Sequence, residues 1–325
     1  MLLAGDVGGT KTLLGLFARA PARPSPVLVR TYFTATFGSF TEILNTFEQD
    51  LGRPLAIDAA AVGVAGPVDK ERAQLTNIAW DISAAEVSER CRIARVHLVN
   101  DLEAMAASVA VLNENELAVL QAGEERAEGN AVVIAAGTGL GEAFLHRVNG
   151  RLRPVASEGS HADFAARTDR EIALLRMLRE LYGRAEVEHV LSGPGLINLH
   201  RFTHDGVRCR AMTEGPPAAA VMAHAALDAS CPGCAEALDL FVSAYGAEAG
   251  NLALRGVATA GVFIGGGIAP KILPLLQRGE FMAAFRGKPP MTELLLRTPV
   301  KVILNTDAGL VGAAVLANEL LINTS

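Results

Sequence analysis

The sequence is poor in aromatic residues and in cysteine, and the shortage of cysteine restricts which class of protein it can be. Among 325 residues there are one tryptophan, three tyrosines and four cysteines. Four scattered cysteines are too few for a disulfide framework, which favours a reducing compartment. With so little cysteine to cross-link the chain, its stability must come from buried apolar side chains, which its 50% hydrophobic content can supply.

The chain also lacks a long hydrophobic segment and a run of basic residues. Its longest uncharged stretch, Gly256 to Pro270, is shorter than the roughly 20 apolar residues that cross a bilayer. Asp6 interrupts the apolar N-terminus before a signal-peptide core could form. The net charge is −6, and lysine and arginine are dispersed. We therefore expect a cytoplasmic protein that binds neither a membrane nor nucleic acid.

Glycine is abundant, and three glycine clusters each follow an apolar run of strand length. The clusters are Gly8-Gly9-Thr10-Lys11, Gly137-Thr138-Gly139 and Gly265-Gly266-Gly267. The first two also lead into a second short apolar run, which makes them a weak internal repeat. Consecutive glycines allow backbone N–H groups to converge on an anion, most often a phosphate. The pattern predicts two phosphate-binding hairpins.

Other glycine motifs explain the first cluster less well. Gly5 to Thr12 differs from a Walker A loop because Thr10 stands where its second glycine should be. Both a Walker loop and a dinucleotide fingerprint must open a helix, whereas Thr12 to Phe17 is a short apolar run. Hairpins without a ligand would explain the glycines but not the neighbouring Asp6. Phosphoryl transfer needs a metal, and Asp6 is suited to hold Mg²⁺ through water.

Strands and helices alternate along the chain, which predicts an α/β fold with mostly parallel strands. Predicted strands are Ala60 to Val64, Val96 to Val99 and Val300 to Leu304, and predicted helices are Leu102 to Val111 and Leu310 to Leu321. Asn100 and Asp101 follow the second of these strands. From spacing alone, helix capping and catalysis explain them equally well. Their place at the carboxyl end of a strand favours ligand binding.

Cys231-Pro-Gly-Cys234 has the spacing of half a zinc site or of a redox pair. Zinc requires two further ligands at a compatible spacing, and a redox CxxC usually opens a helix directly after a strand. The preceding segment, Ala218 to Ala229, is predicted to be a helix. We therefore interpret the pair as a structural turn.

Six motifs together resemble the bacterial glucokinases of the actin/hexokinase/Hsp70 ATPase superfamily. In chain order they are Asp6-Val-Gly-Gly-Thr10, Val99-Asn-Asp-Leu-Glu103, Gly137-Thr-Gly-Leu-Gly141, Ser157-Glu-Gly-Ser-His161, Val190-Leu-Ser-Gly-Pro-Gly195 and Gly261-Val-Phe-Ile-Gly-Gly-Gly-Ile268. The match covers nearly the whole chain in the family's order, so it is more specific than any single glycine turn.

The resemblance implies two actin-like (ribonuclease H-like) α/β domains around a central cleft. Residues 1–110 with 301–325 would form the small domain, which carries the first phosphate hairpin and the catalytic aspartate. Residues 111–300 would form the large domain, which carries the second hairpin. The implied reaction is phosphorylation of the glucose 6-hydroxyl by ATP with Mg²⁺, the entry step of glycolysis. A homodimer is a family expectation.

The resemblance also assigns roles to individual residues. Asp101 would be the general base, and the sugar would be bound by Asn100, Asp101, Glu158, His161 and Glu188. The nucleotide and its metal would be bound by Gly5, Asp6, Gly8, Gly9, Thr10, Lys11, Gly137, Thr138, Gly139, Gly265, Gly266 and Gly267, with Mg²⁺ at Asp6. Trp80 would pack near the sugar, and Asn77 is a lesser candidate for contact.

Two departures and two alternatives bear on this assignment. The family motif Glu-Gly-Gly-His has Ser160 in its third place here, which puts the sugar preference in doubt. The zinc motif of the related repressor/kinase family follows a Gly-His pair, and Cys231 and Cys234 do not supply it. The alternatives are a kinase for fructose, mannose or an N-acetylhexosamine, and an actin-like ATPase switch without kinase activity.

Overall fold

A computed structural model of the chain describes residues 1–52, 54, 56–69, 71–75, 78–207, 209, 219–228 and 230–322. Asn77 lies outside the described residues. The chain divides into two compact units. The first comprises Met1–Asn113, Leu152–Ala156 and Asn305–Ser325, and the second comprises Glu114–Arg151 and Ser157–Leu304.

Strands and helices alternate along most of the described chain. The strands are β1 (Leu2–Val7), β2 (Lys11–Ala18), β3 (Ser25–Phe33), β4 (Ala59–Val64), β5 (Val68–Asp69), β6 (Arg72–Gln74), β7 (Asp81–Ser83), β8 (Val96–Asn100), β9 (Leu117–Gln121), β10 (Ala131–Ala136), β11 (Leu140–Val148), β12 (Arg151–Ser157), β13 (Gly261–Gly265) and β14 (Val300–Ile303). The α-helices are α1 (Phe40–Leu51), α2 (Ala84–Cys91), α3 (Asp101–Ser108), α4 (Asp169–Tyr182), α5 (Gly193–His204), α6 (Ala219–Leu227), α7 (Pro232–Gly256), α8 (Leu273–Leu276), α9 (Glu280–Arg286), α10 (Thr292–Arg297) and α11 (Ala308–Ile322).

The first unit is built on a sheet of order β3-β2-β1-β4-β8. β1 and β2 form an antiparallel hairpin, whereas β1, β4 and β8 are parallel. One cluster of buried apolar side chains joins the sheet to α1 and α2, and a second joins it to α3 and α11. Burial on both faces explains why these strands are continuous apolar runs rather than alternating ones.

The sheet of the second unit repeats the same central arrangement. β10 forms an antiparallel hairpin with β11, is parallel to β13, and β13 is parallel to β14. β9 adds an antiparallel edge next to β14. A large core packs α5, α7 and α9 on this sheet. The α/β fold class predicted from the sequence is confirmed, whereas the expectation of mostly parallel strands is wrong. Among the described strands, parallel pairing is limited to β1, β4 and β8 in the first unit and to β10, β13 and β14 in the second, and the hairpins and the edge strands β3 and β9 pair antiparallel.

Both predicted hairpins are present, and the structure differs from two other expectations. α3 ends at Ser108, and Val109–Val111 form a 3-10 turn rather than more α-helix. After the third glycine cluster, Ala269–Ile272 also form a 3-10 turn. The predicted domain boundary at residue 301 lies inside β14, which belongs to the sheet of the second unit because it pairs with β13 and β9. Among the described residues, no helix has both the length and the apolar character needed to cross a bilayer.

Candidate active site

The first predicted phosphate hairpin is a tight turn braced from one side. In the turn between β1 and β2, the Gly8 N–H donates to the Lys11 carbonyl at 3.0 Å. Thr34, which follows β3, donates its hydroxyl to the Gly8 carbonyl at 2.8 Å and its N–H to the Thr10 carbonyl at 3.1 Å. Thr34 therefore binds two of the turn's carbonyl groups and fixes its shape. Gly5 lies inside β1, where an added Cβ would approach the Val62 side chain to 3.0 Å, so its immediate role is packing.

Asp6 lies on β1 just before this turn, with little solvent around its carboxyl group. Burial raises the pKa of Asp6 to about 6, the positive charge of Lys11 opposes the rise, and the negative charge of Asp307 adds to it. The start of α11 packs directly on the carboxylate, because a Cβ added at Gly309 would lie 2.7 Å from Asp6 Oδ2. The site therefore holds a carboxylate short of solvent and close to a second carboxylate, an arrangement that a bound cation would stabilise.

Asn100 and Asp101 lie at the start of α3, two strands away from Asp6. The Leu102 N–H donates to Asn100 Oδ1 and to Asp101 Oδ1, each at 2.9 Å, and Asn100 Nδ2 donates to the Gly66 carbonyl at 3.3 Å. Asn100 is thus the N-cap of α3, whereas Asp101 is the first residue of the helix. Capping does not conflict with ligand binding, because β1, β4 and β8 are parallel and their carboxyl ends share one edge of the sheet.

The second predicted phosphate hairpin is held by Glu188 and by the start of α5. In the turn between β10 and β11, the Gly137 N–H donates to the Gly139 carbonyl and the Gly193 N–H donates to the Gly137 carbonyl, both at 2.8 Å. Glu188 Oε2 accepts the Leu140 N–H at 2.7 Å, and a Cβ at Gly139 would lie 2.7 Å from the same oxygen. Glu188, predicted from the family to bind sugar, therefore contacts the glycine turn directly.

The third glycine cluster lies beside the second hairpin. Gly266 has a φ of +82°, and a Cβ there would come within 2.2 Å of the Ala136 carbonyl oxygen. The Ile268 N–H donates to that same oxygen at 3.2 Å. The buried hydroxyl of Tyr245 bridges the two strands, because it accepts the Ala136 N–H at 3.2 Å and lies 3.3 Å from the Gly265 carbonyl. The fold therefore brings together the second and third glycine clusters, both of which were identified from the sequence.

The remaining predicted sugar ligands are only partly assembled in one place. His161, Glu186 and Glu188 have ligand atoms within 4.8 Å of one another, and His161 Nδ1 lies 3.2 Å from Glu186 Oε1. Glu158 contributes its backbone carbonyl, which accepts the His161 N–H at 3.1 Å. Ser160, the departure from the family motif, is only 2% exposed. Sequence reasoning missed Glu186, because nothing distinguishes it from other glutamates of a polar segment.

Glu142 is a second residue that sequence reasoning missed. It is 1% exposed, and neither carboxylate oxygen has a hydrogen-bond partner among the described residues. A Cβ at Gly159, in the turn that carries Glu158 and His161, would lie 2.3 Å from Glu142 Oε2. Burial raises the pKa of Glu142 to about 7, with a further rise from Glu248. Its position in the apolar run after Gly141 was the available signal, since an unpaired carboxylate is rarely found inside a buried strand.

We expect Gly266→Ala to destabilise the protein by at least about 3 kcal/mol, because a left-handed backbone costs an L residue energy and the new Cβ would overlap a backbone carbonyl. The adjacent Gly267→Ala is a matched control, since nothing lies within 4 Å of a Cβ there. Urea denaturation of the two variants measures the difference. Equal midpoints would show that the close approach at Gly266 is not required.

We expect Glu142→Gln to weaken the pH dependence of stability. The folded protein holds a proton on Glu142 up to about pH 7, whereas an ordinary glutamate loses it near 4.5. Stability from this group is therefore fully present below pH 4.5 and is lost as pH rises through 7, by on the order of 3 kcal/mol.

The thermal midpoint of Glu142→Gln, measured relative to that of the wild type, should accordingly rise between pH 5 and pH 8. Glu180→Gln, an exposed glutamate on α4, is the control and should follow the wild type. A constant difference between Glu142→Gln and the wild type across this range would mean that Glu142 is ionised in the folded protein.

Comparison with known proteins identifies the family. A glucokinase family model matches residues 3–320. A glucokinase from Synechocystis sp. is 38% identical, with 98% of each chain covered. The structure of a glucokinase from an Antarctic psychrotroph has a TM-score of 0.84 at 29% identity, with 98% of each chain covered. A ROK family glucokinase from Streptomyces griseus, solved with glucose and AMPPNP, shares the fold with a TM-score of 0.67 at 20% identity, covering 98% of this chain and 99% of that chain. The chain therefore belongs to the glucokinase family, whose members phosphorylate glucose.

Proposed function

We propose that the protein transfers the γ-phosphoryl group of ATP to the 6-hydroxyl of glucose, with Asp101 as the general base. The observation that carries this proposal is the position of Asp101, at the carboxyl end of a parallel strand two strands from Asp6. Phosphoryl transfer needs a group that accepts the proton of the attacking hydroxyl, and it needs positive charge and N–H donors around the phosphates. Each unit carries a glycine turn that suits the second requirement.

We infer that the glycine turns bind the phosphates of ATP. The residues proposed for this role are Gly8, Gly9, Thr10 and Lys11 in the first unit and Gly137, Thr138 and Gly139 in the second, with Gly265, Gly266 and Gly267 against the adenosine. The close packing of Gly266 on Ala136 supports the last assignment, because it places the third cluster beside the second turn. The AMPPNP in the Streptomyces griseus structure is an ATP analogue and supports ATP as the donor.

Asp6 is the residue we propose to hold Mg²⁺. Its carboxylate is poor in solvent and has a pKa raised to about 6, with Asp307 close enough to add to the rise, so the donor set is one that a hard cation prefers. When bound, Mg²⁺ would spread the negative charge of the β- and γ-phosphates. Lys11, whose charge opposes the rise at Asp6, would add positive potential at the same turn.

The sugar would be held by Asn100, Glu158, His161 and Glu188. A site that binds several hydroxyls needs carboxylate, amide and imidazole groups together, and such a site rejects analogues that leave those groups unpaired. The 4.8 Å grouping of His161 and Glu188 supports part of this set. Ser160 stands where the family motif has glycine. Because Ser160 is buried, we infer that it affects the packing of the turn and leaves glucose as the preferred hexose.

The repeated arrangement of hairpin and parallel strands in the two sheets supports membership of the actin/hexokinase/Hsp70 ATPase superfamily. The division into residues 1–110 with 301–325 and residues 111–300 remains our proposal for the functional domains. A cytoplasmic location and a homodimer stay predictions from the sequence and the family.

Asp101→Asn should lower kcat by roughly 10² to 10⁴-fold, because a carboxamide cannot accept the proton of the 6-hydroxyl. The fold should be kept, since an asparagine oxygen can still accept the Leu102 N–H. Steady-state kinetics give kcat, and isothermal titration calorimetry gives glucose affinity, which should change less than kcat.

Asp81→Asn is the control for this variant, because Asp81 is exposed and its carboxylate lies 3.4 Å from Arg72 at the surface. Its kcat should equal that of the wild type. A wild-type kcat in Asp101→Asn would remove Asp101 from the role of general base.

A further inference from the structure

Three of the four cysteines meet in the core of the second unit, together with a histidine. Cys209 Sγ lies 3.7 Å from Cys231 Sγ and 3.6 Å from Cys234 Sγ. His204 Nε2 lies 3.3 Å from Cys231 Sγ. All four residues are less than 8% exposed, and Cys234 is fully buried. This group of Cys209, Cys231, Cys234 and His204, which we call the thiol cluster, has no role in the proposed reaction.

The spacing of the thiol cluster matches the edges of a tetrahedral zinc site. With Zn–S bonds of about 2.3 Å, two sulfurs on a tetrahedral ion lie about 3.8 Å apart, and a sulfur and an imidazole nitrogen lie about 3.6 Å apart. The sulfur separations of 3.6 and 3.7 Å and the nitrogen to sulfur separation of 3.3 Å are close to those values. One ligand atom each of His200, His204, Cys209 and Cys234 lies within 4.8 Å of the others, and Cys231 Sγ lies 3.3 Å from His204 Nε2 and 3.7 Å from Cys209 Sγ. A disulfide would need about 2.05 Å and would leave the third sulfur over.

His204 is oriented as a metal ligand would be. Its Nδ1 lies 2.9 Å from the His200 carbonyl oxygen, so Nδ1 carries the proton and Nε2 keeps its lone pair facing Cys231. Metal-binding histidines usually donate their second ring N–H to such a partner, which fixes the tautomer. The His200 ring stacks on the His204 ring with centroids 3.8 Å apart and holds it in place.

The Cys-Pro-Gly-Cys turn is shaped to receive that histidine. Cys231 is the N-cap of α7 and Pro232 is its first residue, so the turn places Cys231 and Cys234 at the start of the helix. A Cβ at Gly233 would lie 2.8 Å from two atoms of the His204 ring, so only glycine leaves room for the ring. The N-terminal end of α7 also favours negatively charged sulfur atoms beside it.

We propose that Cys209, Cys231, Cys234 and Nε2 of His204 bind one structural Zn²⁺. Three thiolates and one imidazole fill a tetrahedral ion and leave no position open for substrate, which is the donor set of a structural rather than a catalytic zinc site. The sequence alone favoured a structural turn, because the other two ligands of the zinc site are not near Cys231 along the chain. Cys209 is 22 residues away from Cys231, and His204 is 27 residues away. Folding of α5 against α7 brings them together.

The metal would join two helices that hold the second glycine turn. His204 is the last residue of α5, whose first residue, Gly193, donates its N–H to the Gly137 carbonyl. Cys231 and Cys234 begin α7, whose Tyr245 hydroxyl accepts the Ala136 N–H. The zinc would therefore fix the C-terminus of one supporting helix to the N-terminus of the other. Since it binds the folded state, its removal should lower the thermal midpoint.

The test is metal content, which does not depend on the kinase reaction. Full-length protein expressed with added zinc and purified under reducing conditions should contain about one zinc per chain by mass spectrometry of the elements. Cys234→Ser and His204→Ala should each reduce that content to a small fraction. Cys91→Ser should retain it, because Cys91 is a buried cysteine of the first unit, outside the thiol cluster.

A second measurement uses the wild type alone and covers the case in which a variant fails to fold. Zinc-free protein, prepared with a chelator under reducing conditions, should take up one Co²⁺ and show the visible bands of a tetrahedral thiolate site. Its thermal midpoint should rise when Zn²⁺ is added.

Three results would overturn the proposal. The first is reduced wild-type protein that takes up neither Zn²⁺ nor Co²⁺. The second is undiminished zinc content in both Cys234→Ser and His204→Ala. The third is a disulfide among Cys209, Cys231 and Cys234, found by peptide mapping of metal-free protein as isolated.

Discussion

Close packing against glycine near the ends of parallel strands shapes both units, because each of these approaches leaves no room for a side chain. In the second unit, Gly266 lies so near the Ala136 carbonyl that a methyl group would not fit. In the first unit, a Cβ at Gly63 would lie 2.9 Å from Ala104 Cβ and 3.5 Å from Asp101 Cα. These approaches bring glycine turns and helix starts to the same edge of each sheet. Polar groups that would be costly inside a sheet can therefore lie at its end, where a ligand can use them.

Much of this arrangement could be predicted from the sequence, because its signals are local. Apolar runs closed by glycine clusters correctly predicted β1, β10 and β13, and the Asn100-Asp101 pair lies at the carboxyl end of β8, as the sequence predicted. What the sequence could not show depends on long-range packing. Glu186 and Glu142 acquire their surroundings from segments distant in the chain, as does the thiol cluster. The strand β14 was predicted, but its sheet was not, since pairing with β9 and β13 is a tertiary choice.

The buried carboxylates differ in a way that suits different roles. Asp6 lies beside Lys11 and Asp307 at a glycine turn, and its solvent-poor setting is one that a divalent cation would stabilise. Glu142 has Glu248 as a like-charged neighbour and Arg255 as an oppositely charged one. Its carboxylate has no hydrogen-bond partner among the described residues, and burial raises its pKa to about 7. The proposed zinc site acts at a third place, on the helices behind the second turn. Ligand binding and stability are thus assigned to different groups.

Kinase activity and sugar preference can be measured together as ADP release by the purified protein with Mg²⁺ and ATP, first without sugar and then with glucose, fructose, mannose or N-acetylglucosamine. We expect little ADP release without sugar and strong stimulation by glucose, with glucose 6-phosphate as the product. If ADP release is the same with and without every sugar, the protein is not a sugar kinase, and the assignments of Glu158, His161 and Glu188 must be abandoned.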